Sequence, residues 1–287
     1  MEWVMTMQGK TVLVTGATDG IGKVTARGLL ELGASLLILG RHAEKTARVA
    51  DELAAATGRP RPLTFIADLS QPKQVKRVAG EILGRLAILD ILINNAGAFF
   101  AKREQNIEGM EMTFALNHLN YFLLTHHLLP LLKKSPQGRI VNVASEAHRG
   151  VALDFGNLQG EQSYHGWRAY QRSKLANILF TAELAERLQG TKVTTNSLHP
   201  GFVASNFGHN NRGWLANIFK ISQKLFAINE EKGAQTSIHV ASAPELAQTT
   251  GLYFSDRRAK VPSSAAQDRQ ARKKLWDVSE KILSPYL

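Results

Sequence analysis

Apolar residues recur along the chain in two alternating rhythms. Short runs rich in aliphatic, aromatic and β-branched residues fall at 11–15, 35–39, 62–67, 88–93, 139–144, 192–198 and 251–254, the run at 192–198 being the most polar. Between them lie longer stretches with apolar positions spaced by three or four, at 21–32, 44–56, 74–83, 108–131 and 230–240, with another running to about 188. The runs read as buried strands and the spaced stretches as amphipathic helices. Strand alternating with helix predicts an α/β fold with one doubly wound, mostly parallel sheet of about seven strands. No interior linker is long or polar enough to divide residues 1–287, so a single domain is expected.

Chemistry-bearing residues gather where the runs end, at the edge where such sheets bind ligands. The first run leads into Gly16-Ala17-Thr18-Asp19-Gly20-Ile21-Gly22 and then a helix. Glycines there permit a tight turn and close approach to a pyrophosphate, and the helix N-terminus supplies N–H donors. A plain structural turn is the other reading. The second run ends at Gly40-Arg41. A basic residue in that place pairs with a ribose 2′-phosphate and an acidic one with a 2′-hydroxyl. Arg41 thus argues for NADP over NAD, with Asp19 a mild counterweight and a solvated arginine the bland alternative. Strand, glycine loop, helix and strand together form a Rossmann-type unit.

Asp68-Leu69 closes the third run and Asn94-Asn95-Ala96-Gly97 the fourth. The asparagines form a turn, or they hold neighbouring strand ends open beside a cofactor. Ser145 closes the fifth run, and His199-Pro200-Gly201 the sixth. Asn117 lies inside the predicted helix 108–131, where asparagine is a weak helix former; it faces solvent or bonds something specific.

Tyr170 and Lys174 are four residues apart and share one helical face. A tyrosine titrates near pKa ~10, and a neighbouring ammonium favours the phenolate. The pair is therefore expected to be an acid/base device in which Lys174 lowers the Tyr170 pKa. An incidental Tyr and Lys on a surface helix would look the same in isolation.

Composition narrows the picture. The chain has no cysteine, which excludes disulfides and thiolate-held metal, and no metal site is expected. Its formal net charge is +11, but the basic residues are dispersed apart from a cluster between Arg257 and Lys274. No zinc-finger or basic-zipper pattern accompanies them, so nucleic acid is not an expected partner. No apolar run is long enough to span a bilayer, and residues 1–10 do not resemble a signal peptide. A cytoplasmic protein is expected. Residues 202–228 carry Phe202, Phe207, Trp214, Phe219 and Phe226, reading as an apolar flap or an ordinary core helix. The tail from 263 to about 284 reads as a basic amphipathic helix with Leu275, Trp276, Val278 and Ile282 on its apolar side. Flap and tail suggest transient, peripheral membrane-surface contact; a solvated tail, or one covering a neighbouring subunit of an oligomer, is the alternative.

The motifs Thr15-Gly16-x-x-x-Gly20-Ile21-Gly22, Asn94-Asn95-Ala96-Gly97, Asn117, Ser145, Tyr170-x-x-x-Lys174 and Pro200-Gly201 occur in one order. In that order they resemble the short-chain dehydrogenase/reductase family over roughly residues 8–256. The stretch 169–177, His199-Pro200-Gly201 and the insertion after Ser145 are similar to its retinol dehydrogenase-like branch. Residues 1–10 are not expected to form the N-terminal membrane anchor that many members of that branch carry. The resemblance implies a pyrophosphate site at Gly16, Thr18, Asp19, Gly20, Ile21 and Gly22, with Arg41 on the 2′-phosphate. It puts Asp68 and Leu69 beside the adenine and Asn95, Ala96 and Gly97 beside the adenosine ribose. It puts Tyr170, Lys174, Pro200, Gly201, Val203 and Ser205 on the nicotinamide side. It implies an NADP(H)-dependent oxidoreductase of apolar carbonyls or alcohols, retinal-like aldehydes first. Tyr170 is the acid, Ser145 the alkoxide donor, Lys174 the tuning cation and Asn117 the holder of a water. Steroid, quinone or tetrapyrrole reduction, or non-catalytic NADP sensing, are the alternatives.

Overall fold

A computed structural model of the chain describes residues 6–201 and 230–287. The proposed flap at 202–228, with Val203 and Ser205, lies outside the described residues. The strands are β1 (Thr11–Thr15), β2 (Ser35–Gly40), β3 (Leu63–Ile66), β4 (Ile91–Asn94), β5 (Gly138–Val143), β6 (Val193–His199), β7 (Tyr253–Ser255) and β8 (Arg258–Lys260). They form one sheet in the order β3-β2-β1-β4-β5-β6-β7-β8. Every pairing is parallel except β7–β8. The order reverses between β1 and β4, which opens a crevice at the carboxyl edge there.

Among the described residues the sheet has eight strands, not about seven. The additional strand is an antiparallel hairpin arm. Asp256 and Arg257 adopt φ values of 49° and 61°, the paired left-handed conformation of a two-residue hairpin turn.

The helices are α1 (Gly20–Glu31), α2 (Ala43–Thr57), α3 (Pro72–Arg85), a single turn α4 (Met112–Phe114), α5 (Asn120–Lys134), α6 (Gly166–Arg187), α7 (Glu230–Ser242) and α8 (Arg269–Leu283). Both sheet faces are covered, so the central parallel strands are buried along their length, β1, β2 and β4 mostly by aliphatic side chains and β6 (VTTNSLH) largely by polar ones. Val12 and Val14 of β1 pack with Leu29, Val49 and Val240 on one face. Leu13 points the other way, into a larger core with Leu92, Tyr121, Leu179 and Leu275.

Two helix boundaries differ from the expected ones. The helix expected at 108–131 begins only at Met112, where buried Glu111 caps the N–H groups of Thr113 and Phe114, both at 2.7 Å. Between α4 and α5 it widens into a π turn, Ala115–Leu119, which contains Asn117. The tail helix starts at Arg269 because Asp268 caps it, accepting from Gln270 N and Ala271 N. Its apolar side is not free: Trp276 stacks on Phe180 at 5.9 Å and meets Phe122 at 4.6 Å. Arg187 lies 4.1 Å over the same indole.

One polar element crosses the core. Asn94 donates to Asn142 Oδ1 at 2.9 Å and to Thr125 at 3.0 Å, and Asn142 donates to Thr181 and Thr195. Asn94, Asn142 and Thr195 are fully buried, so these bonds satisfy both amide nitrogens and the Asn142 oxygen, which would otherwise be costly; Asn94 Oδ1 has no hydrogen-bond partner among the described residues.

Candidate active site

The glycine loop joins β1 to α1 at the crevice. Gly16 has φ 64°, a left-handed conformation that favours glycine. A Cβ on Gly22 would overlap the Gly16 carbonyl oxygen and the Asn95 amide, so loop and helix touch through bare backbone. Asp19 caps α1 through Gly20 N at 2.9 Å and pairs with Lys45 at 3.0 Å. Its carboxylate is therefore partly neutralised by a cation of α2. Arg41, His42 and Lys45 stand together just past the end of β2, with Arg41 Nε 3.2 Å from His42 Nε2. That cluster is basic and reachable, as a phosphate monoester requires.

Thr15 ties the loop to the end of β4. Its hydroxyl bonds the Ile93 carbonyl and accepts from Asn95 N and Ala96 N at 2.9 and 3.0 Å. The Asn95 side chain donates back to the Thr15 and Gly16 carbonyls. Asp68 shapes its own turn, accepting from the backbone and hydroxyl of Ser70, while Leu69 is buried. Across the crevice, Pro200 and Gly201 follow β6, with Gly201 at φ 92°.

Tyr170 and Lys174 project from α6 into the same region. Tyr170 is 8% exposed and Lys174 3%. Lys174 Nζ lies 5.7 Å from the Tyr170 ring centroid and donates to the Val143 carbonyl at 3.0 Å. Gly97 is exposed beside them; a Cβ there would stand 3.4 Å from Lys174 Nζ and 3.1 Å from Asn117 Oδ1. Ser145 caps a short 3-10 turn through Ala147 N and hydrogen-bonds Tyr170. Asn117 is fully buried. Its amide donates to Ala98 O and Ser173 Oγ, both at 3.0 Å, and its oxygen accepts from Ala98 N at 2.9 Å. Of the two expectations for this asparagine, specific bonding is the one observed.

The electrostatics differ from the expected tuning. Burial pushes the Tyr170 phenol up to about 12, and the Ser145 hydrogen bond pulls the other way. Burial pushes Lys174 down to about 7. Removing both charged forms from water outweighs their mutual attraction, and no sequence pattern encodes that loss of solvent. Tyr170 is thus held protonated at neutral pH, as a proton donor requires.

Several neighbours were not singled out from the sequence. Phe99 and Trp167 contact the Tyr170 ring, with centroids at 6.3 and 5.7 Å, and make an aromatic wall at its mouth. Tyr164, from the insertion, bonds Phe100 O, Glu111 and Thr113 at 3.1 Å each and pins that wall. Asn177 donates to Val143 O at 3.4 Å. Only Asn177 had a legible signal: positions 170, 174 and 177 share one helical face.

A crevice at the switch point of a doubly wound sheet, with a tyrosine, lysine and serine at its edge, is the arrangement of a nucleotide-dependent oxidoreductase. The family model described as short chain dehydrogenase matches residues 10–216, and the chain belongs to that family, on its retinol dehydrogenase-like branch. It is 42% identical to human retinol dehydrogenase 14, over 96% of this chain and 87% of the relative. Human retinol dehydrogenase 11 is also 42% identical, over 96% and 86%. Among solved structures, an uncharacterized protein from Mycobacterium paratuberculosis aligns with TM-score 0.78 and 27% identity, over 98% of this chain and 96% of its own. The Pseudomonas aeruginosa RhlG/NADP active-site complex aligns with TM-score 0.70 and 29% identity, over 88% and 97%. The family and these relatives support an alcohol/carbonyl oxidoreductase.

Proposed function

We propose that the protein is an NADP(H)-dependent oxidoreductase of bulky apolar carbonyls or alcohols, with retinal-like aldehydes its leading substrate class. The observation that carries this is the convergence of Tyr170, Ser145 and Lys174 beside Gly97 and an aromatic wall. The residues present fit the cofactor. Gly97 leaves open space that a Cβ would narrow against Asn117 and Lys174. Lys174 has an ammonium with three donors, one of which serves Val143. Arg41, supported by His42 and Lys45, would take the 2′-phosphate; Gly16, Thr18, Gly20, Ile21 and Gly22 would hold the pyrophosphate, with Asp19 shaping the loop. Asp68, Leu69, Asn95, Ala96 and Gly97 would line the adenosine side, and Pro200 and Gly201, with Val203 and Ser205, the nicotinamide side. The solved RhlG complex, of similar fold, holds NADP.

When bound, the nicotinamide supplies or accepts the hydride; the chain's residues manage the oxygen and its proton. Ser145 donates to the substrate oxygen as negative charge develops there. Tyr170 delivers the proton in the reducing direction, and Lys174 offsets the charge left on the phenol oxygen. Asn117 positions these groups: both its amide donors are committed to Ala98 and Ser173. Phe99 and Trp167 offer an apolar face to the substrate body. The tail packs its apolar side inward, so its outward charged side is what remains for contact with a membrane surface.

The test is a panel of aldehydes, ketones and alcohols with NADPH or NADP, read at the nicotinamide absorbance band. Turnover of all-trans-retinal and long-chain aldehydes with NADPH is expected. No turnover across the panel, with dinucleotide bound, would discard the enzymatic reading.

A further inference from the structure

The interface between α8 and the rest of the fold is mostly apolar, built from Trp276, Leu275, Phe122, Phe180 and Leu283. A polar pair is set into it. His118 Nε2 lies 2.9 Å from Ser279 Oγ, and both residues are fully buried. Such groups cost stability against well-packed apolar substitutes unless each is satisfied. His118 belongs to the π turn that also presents Asn117, and its ring sits between Phe114 and Phe180.

The chain of contacts continues inward. The Asn177 side chain favours the charged form of His118 against the burial that opposes it. His118 Nδ1 and Asn177 Oδ1 are both buried and neither has a hydrogen-bond partner of regular geometry among the described residues; one is a donor candidate and the other an acceptor, which makes them complementary. Asn177 Nδ2 donates to Val143 O, the carbonyl that also receives Lys174 Nζ and Tyr121 OH.

We propose that Ser279, on the C-terminal helix, is a positioning residue for the reaction centre: through His118 and Asn177 it sets how the Val143 carbonyl is shared with Lys174. This rests on the assignment of Lys174 to the active site. The physical steps are short. Burial holds His118 neutral, down to about 4, so one ring nitrogen donates and the other accepts. When Ser279 donates to Nε2, the proton is fixed on Nδ1, facing Asn177 Oδ1. That orients the Asn177 amide with its nitrogen on Val143 O. Without the serine hydroxyl the tautomer is free, Asn177 turns, and the carbonyl is shared by Lys174 and Tyr121 alone. A stronger bond to the ammonium favours its charged form. The titratable side chains flanking Lys174 among the described residues are Tyr170 and Tyr121, at 5.7 and 6.0 Å from Nζ to ring centroid.

The experiment compares wild type with Ser279→Ala, Ser279→Cys and Ser279→Thr. Lysine is isotopically labelled in the full chain, and the Lys174 resonance is identified by its loss in Lys174→Arg. Its titration is followed by NMR without substrate, and the pH profile of kcat with NADPH is recorded alongside. Ser279→Ala is expected to raise the Lys174 midpoint and move the matching limb of the kcat profile upward. The KM for NADPH should change little, and Ser279→Thr should restore both readings. If Ser279→Ala does not fold, Ser279→Cys fills the same space with a weaker donor and carries the comparison. An unchanged or lowered Lys174 midpoint, with only the melting temperature altered, overturns the proposal. A raised Lys174 midpoint in Ser279→Ala, in a protein whose wild type binds NADPH but turns over no substrate, would keep the coupling and remove only the reductase reading.

Discussion

The amide of Asn117 donates to Ser173 Oγ at 3.0 Å, and Ser173 Oγ donates to the Tyr170 carbonyl at 2.7 Å. The π turn thus grips α6 between its two reactive side chains. The same amide group holds Ala98, one residue past Gly97, through two further bonds. Asn117→Ala should strand buried partners at roughly 1–3 kcal/mol each. A total near 3 kcal/mol in urea unfolding is expected, with kcat falling more than the KM for NADPH rises. A kcat equal to wild type would separate Asn117 from the site.

Tyr170→Phe removes the hydroxyl and keeps the ring against Phe99 and Trp167. Reduction should slow by at least ~100-fold, the lower end for a lost general acid, while NADPH binding by fluorescence titration stays within a factor of a few. Wild-type turnover would refute the acid role.

Arg41 is exposed and sits beside His42 at the end of β2. A charge-assisted bond to a phosphate is worth about 1.5–3 kcal/mol, so Arg41→Asp should weaken NADPH by roughly 10- to 100-fold and favour NADH. Steady-state kinetics with both dinucleotides decide it; unchanged preference would remove Arg41 from recognition.

His118 gives the fold an acid limit. Its folded pKa, held at about 4 by burial, lies below the ordinary 6.5. Between these values the unfolded chain binds a proton that the folded chain refuses, so stability falls as pH drops from 6.5 towards 4. The largest loss from this residue is on the order of 3 kcal/mol. His118→Gln should flatten that part of the curve in urea midpoints measured from pH 7 to 4.5. An identical slope in both proteins would mean another group sets the limit.

Much of this arrangement was legible before any coordinates. β1, β2 and β4 are buried on both faces and announce themselves as apolar runs, β5 and β6 more weakly because buried polar residues interrupt them, and the residues at their carboxyl ends carry the motifs. β8 was missed because Arg258, Ala259 and Lys260 are three exposed residues, with one small alanine between two cations and no aliphatic run. The π turn around Asn117 has no period of its own to find in a helical stretch. The direction of the Tyr170 shift was misjudged for a physical reason: spacing shows that two groups are neighbours, not how far water is excluded from them. Lys45 and Trp167 entered the site through tertiary packing alone.

The asparagine pair in the sheet has an effect beyond satisfying its own atoms. Asn94 and Asn142 are direct partners across β4 and β5. Sliding one strand past the other by a single residue would turn the amide of one towards aliphatic neighbours and leave the other without its mate. Aliphatic runs tolerate such a slip; this pair penalises it. The strands that deliver Gly97 and Ser145 to the site are therefore indexed to each other by two amides in the interior, and the spacing of the reactive groups inherits that alignment.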